Sequence, residues 1–179
     1  MTWAFWRRPA PQKLTQNSDK QPRAKYAALT ALVGAGAVAL LVPEVQKWEG
    51  REHRAYRDIV GVWTICDGDT KNVHAGQVAT DAECDKRLER QLIAHARPVM
   101  ECVPRLTKDR PYQLAASASL AYNIGVSAFC RSTVARKFNR GDWRGGCDAI
   151  LMWDRAGGRK VRGLTRRRQA ERAICLRGL

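Results

Sequence analysis

The pattern of apolar and polar positions divides the chain into stretches of different texture. The first clear one is the uncharged run YAALTALVGAGAVALLVP, from Tyr26 to Pro43. As a helix rising about 1.5 Å per residue, it would just cross a hydrocarbon core of roughly 30 Å. Alanine and glycine dominate it, and only Leu29, Leu32, Leu40 and Leu41 are strongly lipophilic. The run therefore predicts a membrane-type helix too weak to hold a protein in the bilayer permanently. Three other readings stay open, a permanent anchor among them. Ala37-Val38-Ala39 supplies the small-residue pattern of a cleaved signal peptide. A core helix of a soluble protein would normally carry a polar face, where this run has only Thr30.

After Pro43 the texture changes. PEVQKWEG predicts a short helix that turns Val45 and Trp48 inward and stops near Gly50. AYRDIVGVWTICDGDT mixes β-branched and aromatic residues with Gly61 and Gly68, which predicts short strands joined by tight turns. From Thr80 the spacing becomes helical, with Cys84, Leu88, Leu92, Ala96, Val99 and Val103 falling on one face. Thr80 or Asp81 is the natural N-cap, and Glu83 stands in capping-box position behind Thr80.

The almost uncharged stretch from Tyr112 to Phe129 predicts a buried central helix broken at Gly125. Shorter helices follow, separated by Gly141, Gly145-Gly146 and Gly157-Gly158. The expected class is α+β and mainly α. A small β-containing lobe precedes a helical lobe, and a membrane-type helix precedes both. The expected division is a basic tail over 1–25, the membrane-type segment over 26–43 and the catalytic domain over 44–179. A cleft between two such lobes suits a long polymer.

Charge sharpens this outline. The 179 residues hold 32 Lys and Arg against 17 Asp and Glu, a formal +15. That balance favours a polyanionic partner without choosing among nucleic acid, membrane surface and acidic wall polymer. Arg7, Arg8, Lys13, Lys20, Arg23 and Lys25 face the single acid Asp19 before the uncharged run, and Glu44 follows it. The bias predicts a cytoplasmic N-terminus and an exported remainder. Six cysteines fit three bridges in an oxidising compartment. The favoured pairing is Cys66 with Cys84, Cys102 with Cys130 and Cys147 with Cys175. Six cysteines allow fifteen connectivities, and buried free thiols are the rival reading. No CxxC spacing occurs and His53, His74 and His95 cluster with no cysteine, so neither a metal site nor a cofactor is implied. No nucleic-acid reader motif accompanies the charge.

The candidate chemistry lies in WEGREHRAYRDIVGVWTICDGDT, Trp48 to Thr70. Cleaving a glycosidic bond needs an acid at the leaving oxygen and a second group that holds water or stabilises the oxocarbenium-like transition state. Glu49, Asp58 and Thr64 supply those types. Glu49, at a helix end beside Trp48, is expected to be kept protonated by an apolar setting. Asp58 and Thr64, on strand or turn, are expected to hold a water between them. By spacing alone, solvated surface carboxylates would be the commoner outcome.

As a whole the stretch resembles the active-site segment of phage-type lysozymes, whose pattern is E-G-x-R-x-x-x-Y-x-D-x-x-G-x-x-T-I-G-x-G-H. Glu49 and Gly50 match the catalytic glutamate and its glycine, Tyr56 and Asp58 the tyrosine and catalytic aspartate, and Gly61 the turn. Thr64 matches the catalytic threonine and Gly68 the later glycine. Cys66 stands where the family often has glycine, and Asp69 where it often has the histidine that contacts the cleft. LAYNIGVSAFCRSTVARKFNRGDW is similar to the family's central helix and cleft wall, which implies that Tyr122, Asn123 and Ser132 lie at the substrate, with Asp69 in the histidine's place. GLTRRRQAERAICL is similar to its terminal helix, and the likeness spans about 44–179.

The resemblance implies a lysozyme-like fold and a muramidase acting on peptidoglycan with inversion, as a monomer without a cofactor. With its Ala/Gly-rich first helix the chain further resembles the signal-anchor-release endolysins. These are tethered inactive to the inner membrane and activated on release into the periplasm. Residues 26–43 contain no cysteine, so activation by refolding rather than disulfide exchange is expected. A lytic transglycosylase and a non-catalytic peptidoglycan-binding protein are the alternatives. Elsewhere Arg166, Arg167 and Arg168 read as a solvated helix face, Trp143, Met152 and Trp153 as core, His74 as a loop residue and His95 as a surface or packing residue.

Overall fold

The structure, a computed structural model, describes residues 25–58 and 60–179. The expected basic tail therefore lies, except for Lys25, outside the described residues. The elements run α1 (Ala27–Val33), α2 (Ala35–Glu49), β1 (Glu52–Arg57), β2 (Trp63–Cys66), α3 (Asp81–Cys102), α4 (Pro111–Ile124), α5 (Val126–Cys130), α6 (Thr133–Asn139) and α7 (Trp143–Ala149). A 3-10 turn (Ile150–Trp153), β3 (Arg155–Ala156), β4 (Arg159–Lys160) and α8 (Arg162–Leu176) complete the chain.

Helix α4 is the axis of the molecule. Every residue from Gln113 to Ala121 is buried, and α2, α3 and α8 pack around it. Its small side chains let those helices approach closely from several sides. The capping box at Thr80 starts α3: Thr80 Oγ1 accepts from Glu83 N at 3.3 Å and Glu83 Oε2 accepts from Thr80 N at 2.7 Å. The helical spacing of Cys84, Leu88, Leu92, Ala96 and Val99 becomes its buried face. Gly125 interrupts α4 and α5 as expected. Gly145 and Gly146 do not separate helices; both lie inside α7, where the Phe138 ring fills the space a Cβ at Gly146 would need. Met152 is 66% exposed, whereas Trp143 and Trp153 pack against the core.

β1 and β2 form an antiparallel hairpin with Tyr56 opposite Thr64 and Arg57 opposite Trp63. Residues 77–79 add to the other edge of β1, with Ala55 N donating to Gln77 O and Ala79 N to His53 O. A small core of Ile65, Cys66, Ala79 and Cys84 holds this lobe together. Three disulfides join Cys66 to Cys84, Cys102 to Cys130 and Cys147 to Cys175, with Cα separations of 5.1, 5.8 and 5.6 Å. They tie the hairpin to α3, the end of α3 to α5, and α7 to α8.

The uncharged run is folded into the protein. It breaks at Gly34 into α1 and α2, bent 118° to one another, so no single helix among the described residues is long and apolar enough to cross a membrane. Gly34 sits at φ 84°, a conformation that glycine adopts without steric cost. Leu29, Val33, Ala37, Leu41 and Val42 join the main core. Pro43 lies inside α2, so one helix runs across 43/44 and carries Val45 into the core. Trp48 is only half-buried, and its Nε1 donates to Glu44 Oε1 at 2.5 Å.

The start of α1 is fastened by polar contacts to α3. Tyr26 Oη donates to Asp85 Oδ1 at 2.9 Å, Lys25 Nζ pairs with Asp85 Oδ2 at 2.9 Å, and Leu29 N donates to Glu89 Oε1 at 3.1 Å. Burial pushes the Asp85 carboxyl up, but hydrogen bonds from Lys25, Tyr26 and Arg51 together outweigh it and hold it below the ordinary carboxylate range. An acid bound less tightly to its proton in the folded state stabilises the fold above its unfolded value of about 3.9 and loses that contribution as pH falls through the lower folded value. Hydrogen-exchange protection of α1 is thus expected to persist down to about pH 4 and to fall below it. Protection unchanged well below that pH would show that Asp85 does not hold α1.

Candidate active site

Glu49 is the last residue of α2, where the helix delivers its side chain toward the hairpin. Its carboxylate is 23% exposed and accepts from Arg167 Nη1 at 2.7 Å. The apolar setting expected around Glu49 is not what surrounds it: a guanidinium from α8 lies against one oxygen. The other oxygen faces the turn that follows β2, since a Cβ added at Gly68 would lie 3.8 Å from Oε2. Gly68 sits at φ 86°, a backbone conformation that glycine adopts without steric cost.

Arg167 belongs to a buried polar ladder. Its Nε donates to Glu171 Oε1 at 3.2 Å, and Ser119 Oγ donates to the same oxygen at 2.8 Å. Arg168 Nη1 lies 3.1 Å from Glu171 Oε2, a charge contact without hydrogen-bond alignment, and its Nη2 donates to Asn123 Oδ1 at 2.6 Å. Burial pushes the Glu171 carboxyl up, opposed by the Arg168 charge, the Ser119 hydroxyl and Arg167. Two cations and two carboxylates compensate one another here.

The expectation of a solvated arginine face is corrected for two of the three residues, because Arg167 and Arg168 are 4% and 0% exposed. The missed signal was the spacing of Arg167, Glu171, Ile174 and Cys175 on one side of α8. Arg167→Ala should cost about 3–5 kcal/mol, because it strips a hydrogen-bonded counterion from the fully buried Glu171. Urea unfolding would measure it, and a cost under about 1 kcal/mol, the level of an exposed pair, would mean the ladder carries little.

Asp58 and Thr64 are brought together through one peptide unit. Asp58 Oδ1 accepts from Val60 N at 3.0 Å and Val62 N at 2.9 Å. Val62 O in turn accepts from Asp58 N at 3.0 Å and from Thr64 Oγ1 at 3.2 Å. Asp58 Oδ2 has no hydrogen-bond partner among the described residues and is open to a water or substrate. Arg57 braces the turn, donating to Gly61 O at 2.7 Å and stacking 4.8 Å over Trp63.

The remaining predicted site residues divide. Tyr122 borders the site: its hydroxyl reaches Asp67 O at 2.9 Å and Gln91 Oε1. Burial, with the charges of Glu49, Asp67 and Asp69, pushes it up against the opposing pull of Arg167, so it stays a neutral hydroxyl. Its ring lies 4.9 Å from that of His95. Asn123 is exposed, with Oδ1 held by Arg168.

Asp69 and Ser132 are held by partners within the protein. Asp69 is 3% exposed and its carboxylate is directed onto α3. Its Oδ2 accepts from Arg87 Nη1 at 2.6 Å and Arg90 Nη2 at 2.8 Å, and its Oδ1 from Gln91 Nε2 at 2.9 Å. A buried carboxylate needs such counterions, and α3 supplies them. Ser132, 5% exposed, is the N-cap of α6, accepting from Ala135 N at 3.1 Å. Among the described residues no group of His, Cys, Asp and Glu could hold a metal ion.

A glutamate on a helix end facing a short hairpin that carries an aspartate and a threonine, packed on a helical lobe, defines the lysozyme class of glycosidases. The phage lysozyme family model matches residues 46–171. The chain is 40% identical over 159 residues to the SAR-endolysin of Enterobacteria phage P21, covering 84% of this chain and 94% of that protein. It is 37% identical over 162 residues to the SAR-endolysin of Enterobacteria phage PA-2, with the same two coverages, 84% and 94%. Among solved structures, the endolysin from Escherichia coli O157:H7 phage FAHEc1 superposes with a TM-score of 0.69 at 27% identity, over 82% of this chain and 94% of that one. A P22 lysozyme mutant superposes with a TM-score of 0.69 at 29% identity, over 81% and 98%. The chain belongs to the phage lysozyme family, and it is a lysozyme-type muramidase.

Proposed function

We propose that the protein is a phage endolysin that hydrolyses the β-1,4 bond between N-acetylmuramic acid and N-acetylglucosamine in host peptidoglycan, lysing the cell. The observation that carries this is the pairing of Asp58 and Thr64 through the Val62 peptide, with the acid Glu49 supplied by the last residue of α2. Glu49 gives its proton to the glycosidic oxygen as that bond breaks. Asp58 takes a proton from the water that Thr64 helps to hold as the water oxygen bonds to the anomeric carbon. Attack from the opposite face inverts that carbon. A lytic transglycosylase has no use for a pair built to hold water. Tyr122 and Asn123 are assigned to substrate binding on their positions beside Glu49 and Arg168; Asp69 and Ser132 act by holding the turn and α6.

The test is hydrolysis of purified peptidoglycan by the full oxidised chain, with sugar ends identified by mass spectrometry. Reducing N-acetylmuramic ends support the reading, anhydro ends would replace it with transglycosylation, and intact glycan with tight binding with a wall-binding role.

Export and activation follow the same reading. Residues 26–43 tether the inactive enzyme to the inner membrane, N-terminus inside, and their release into the periplasm lets them fold into the core. The composition supports this, because a run that must leave lipid and then pack in a protein is served by Ala and Gly. Ala27, Ala28, Ala31 and Ala39 are exposed in the folded protein. Leucines at Ala28, Ala31 and Ala39 would add lipophilicity without entering the core, so cells should accumulate membrane-bound enzyme and fail to lyse. Normal lysis by that variant would sink the release step.

A further inference from the structure

Arg51 lies two residues beyond Glu49, and it spends its guanidinium on three acids. Nε and Nη2 fork onto the Asp67 carboxylate at 3.3 and 2.8 Å, Nη1 reaches Asp81 at 3.1 Å, and Nη2 also reaches Asp85 at 3.0 Å. Asp67 is 1% exposed, and Arg51 is the one cation paired with it among the described residues. It sits in the turn Cys66-Asp67-Gly68, closed by the reciprocal hydrogen bonds of Ile65 and Asp69 at 2.9 Å. This is the turn whose Gly68 abuts Glu49 and whose Asp67 carbonyl meets the Tyr122 hydroxyl. Asp85, a further partner of Arg51, is shared with Tyr26 and Lys25 at the start of α1.

We propose that Arg51 is a positioning residue that fixes the turn beside Glu49, and that docking of Tyr26 and Lys25 on Asp85 completes its setting. The inference rests on the muramidase reading and on release of residues 26–43, and it names the route by which release reaches the catalytic group. While those residues span a membrane, the donors at Tyr26 and Lys25 lie on its far side, and Asp85 lacks two of its three partners. Arg51 is then free to swing toward Asp85 and loosen its fork on Asp67. With α1 docked, Asp85 is satisfied by Tyr26 and Lys25, and Glu89, one turn along α3, takes the backbone N–H of Leu29. Apolar packing explains why the released segment stays in the core; this relay explains how its arrival is felt at the turn.

The test uses the full-length oxidised protein on purified peptidoglycan. Because misplacing a catalytic group by about 1 Å can cost about a hundredfold, Arg51→Ala should lower kcat by about that factor, Asp85→Asn by about tenfold and Tyr26→Phe by about threefold, with KM nearly unchanged. Val33→Ala is the control: it loosens α1 through the core without touching the relay, so it should lower Tm and leave kcat alone. Tyr26→Phe should cost less once Asp85→Asn is present, because residues acting as a unit are not additive. Wild-type kcat in both Asp85→Asn and Tyr26→Phe, or equal costs of Tyr26→Phe with and without Asp85→Asn, would overturn the relay. A kcat loss in Val33→Ala matching that of Tyr26→Phe would reduce it to general stability. Should Asp85→Asn fail to fold, Tyr26→Phe, which removes one oxygen, and Arg51→Lys, which keeps the charge but not the fork, decide the matter through kcat. An inactive wild type would instead remove the muramidase reading itself.

Discussion

Glu49→Gln is expected to lower glycan hydrolysis by about a thousandfold while leaving the protein folded, within the range of a lost general acid. The substitution keeps the shape of the side chain and an oxygen that can still accept from Arg167 Nη1. What it removes is the transferable proton. Because the carboxylate is 23% exposed, water can meet whatever the amide leaves unpaired, so the loss falls on the chemistry and not on the fold. Reducing-end release with purified peptidoglycan checks the rate, and near-ultraviolet circular dichroism checks the packing. A native spectrum with less than about tenfold loss would remove Glu49 from the role of acid, since that lies below what general acids contribute.

Deleting residues 1–43 is expected to abolish the folded, active enzyme. The truncated chain loses Leu29, Val33, Leu41 and Val42, all at most 6% exposed, and with them α1 and most of α2, the helix that carries Glu49. At about 1.5–3 kcal/mol for each large apolar side chain buried, the four together contribute roughly 6–12 kcal/mol. A typical domain has about 5–15 kcal/mol in total, so little or none would remain. The prediction is checked by comparing unfolding transitions and hydrolysis of the full and truncated chains after oxidative folding. A truncated chain that unfolds cooperatively and cleaves glycan at the full rate would show that the first helices are passengers. Such a result would also remove the physical basis for activation by refolding.

Much of the fold was legible because local patterns and the eventual packing agree. The apolar face of α3, its Thr80–Glu83 start, the break at Gly125 and the hairpin around Asp58 and Thr64 are set by spacing and turn chemistry within a few residues. Glu49, Asp58 and Thr64 stand as candidates because the chemistry requires their types, and resemblance to a family gave the rest of the pattern. The uncharged run was legible as to composition only. Whether it lies in lipid or in a protein core depends on what surrounds it, and both surroundings accept the same alanines, valines and leucines.

The sequence by itself determined the mainly helical class, the hairpin, the three groups proposed to react and the weak lipophilicity of the first helix. Those features follow from interactions between residues close in the chain, or from residue types alone. The tertiary structure alone decided the pairing of Glu49 with Arg167 across 118 residues, the burial of Arg168 against Glu171, the pairing of Asp69 with the arginines of α3 and the convergence of Lys25, Tyr26 and Arg51 on Asp85. Charge partners distant in sequence leave no period in the chain, because their meeting is fixed by how helices pack and by the cost of leaving a buried charge without its counterion.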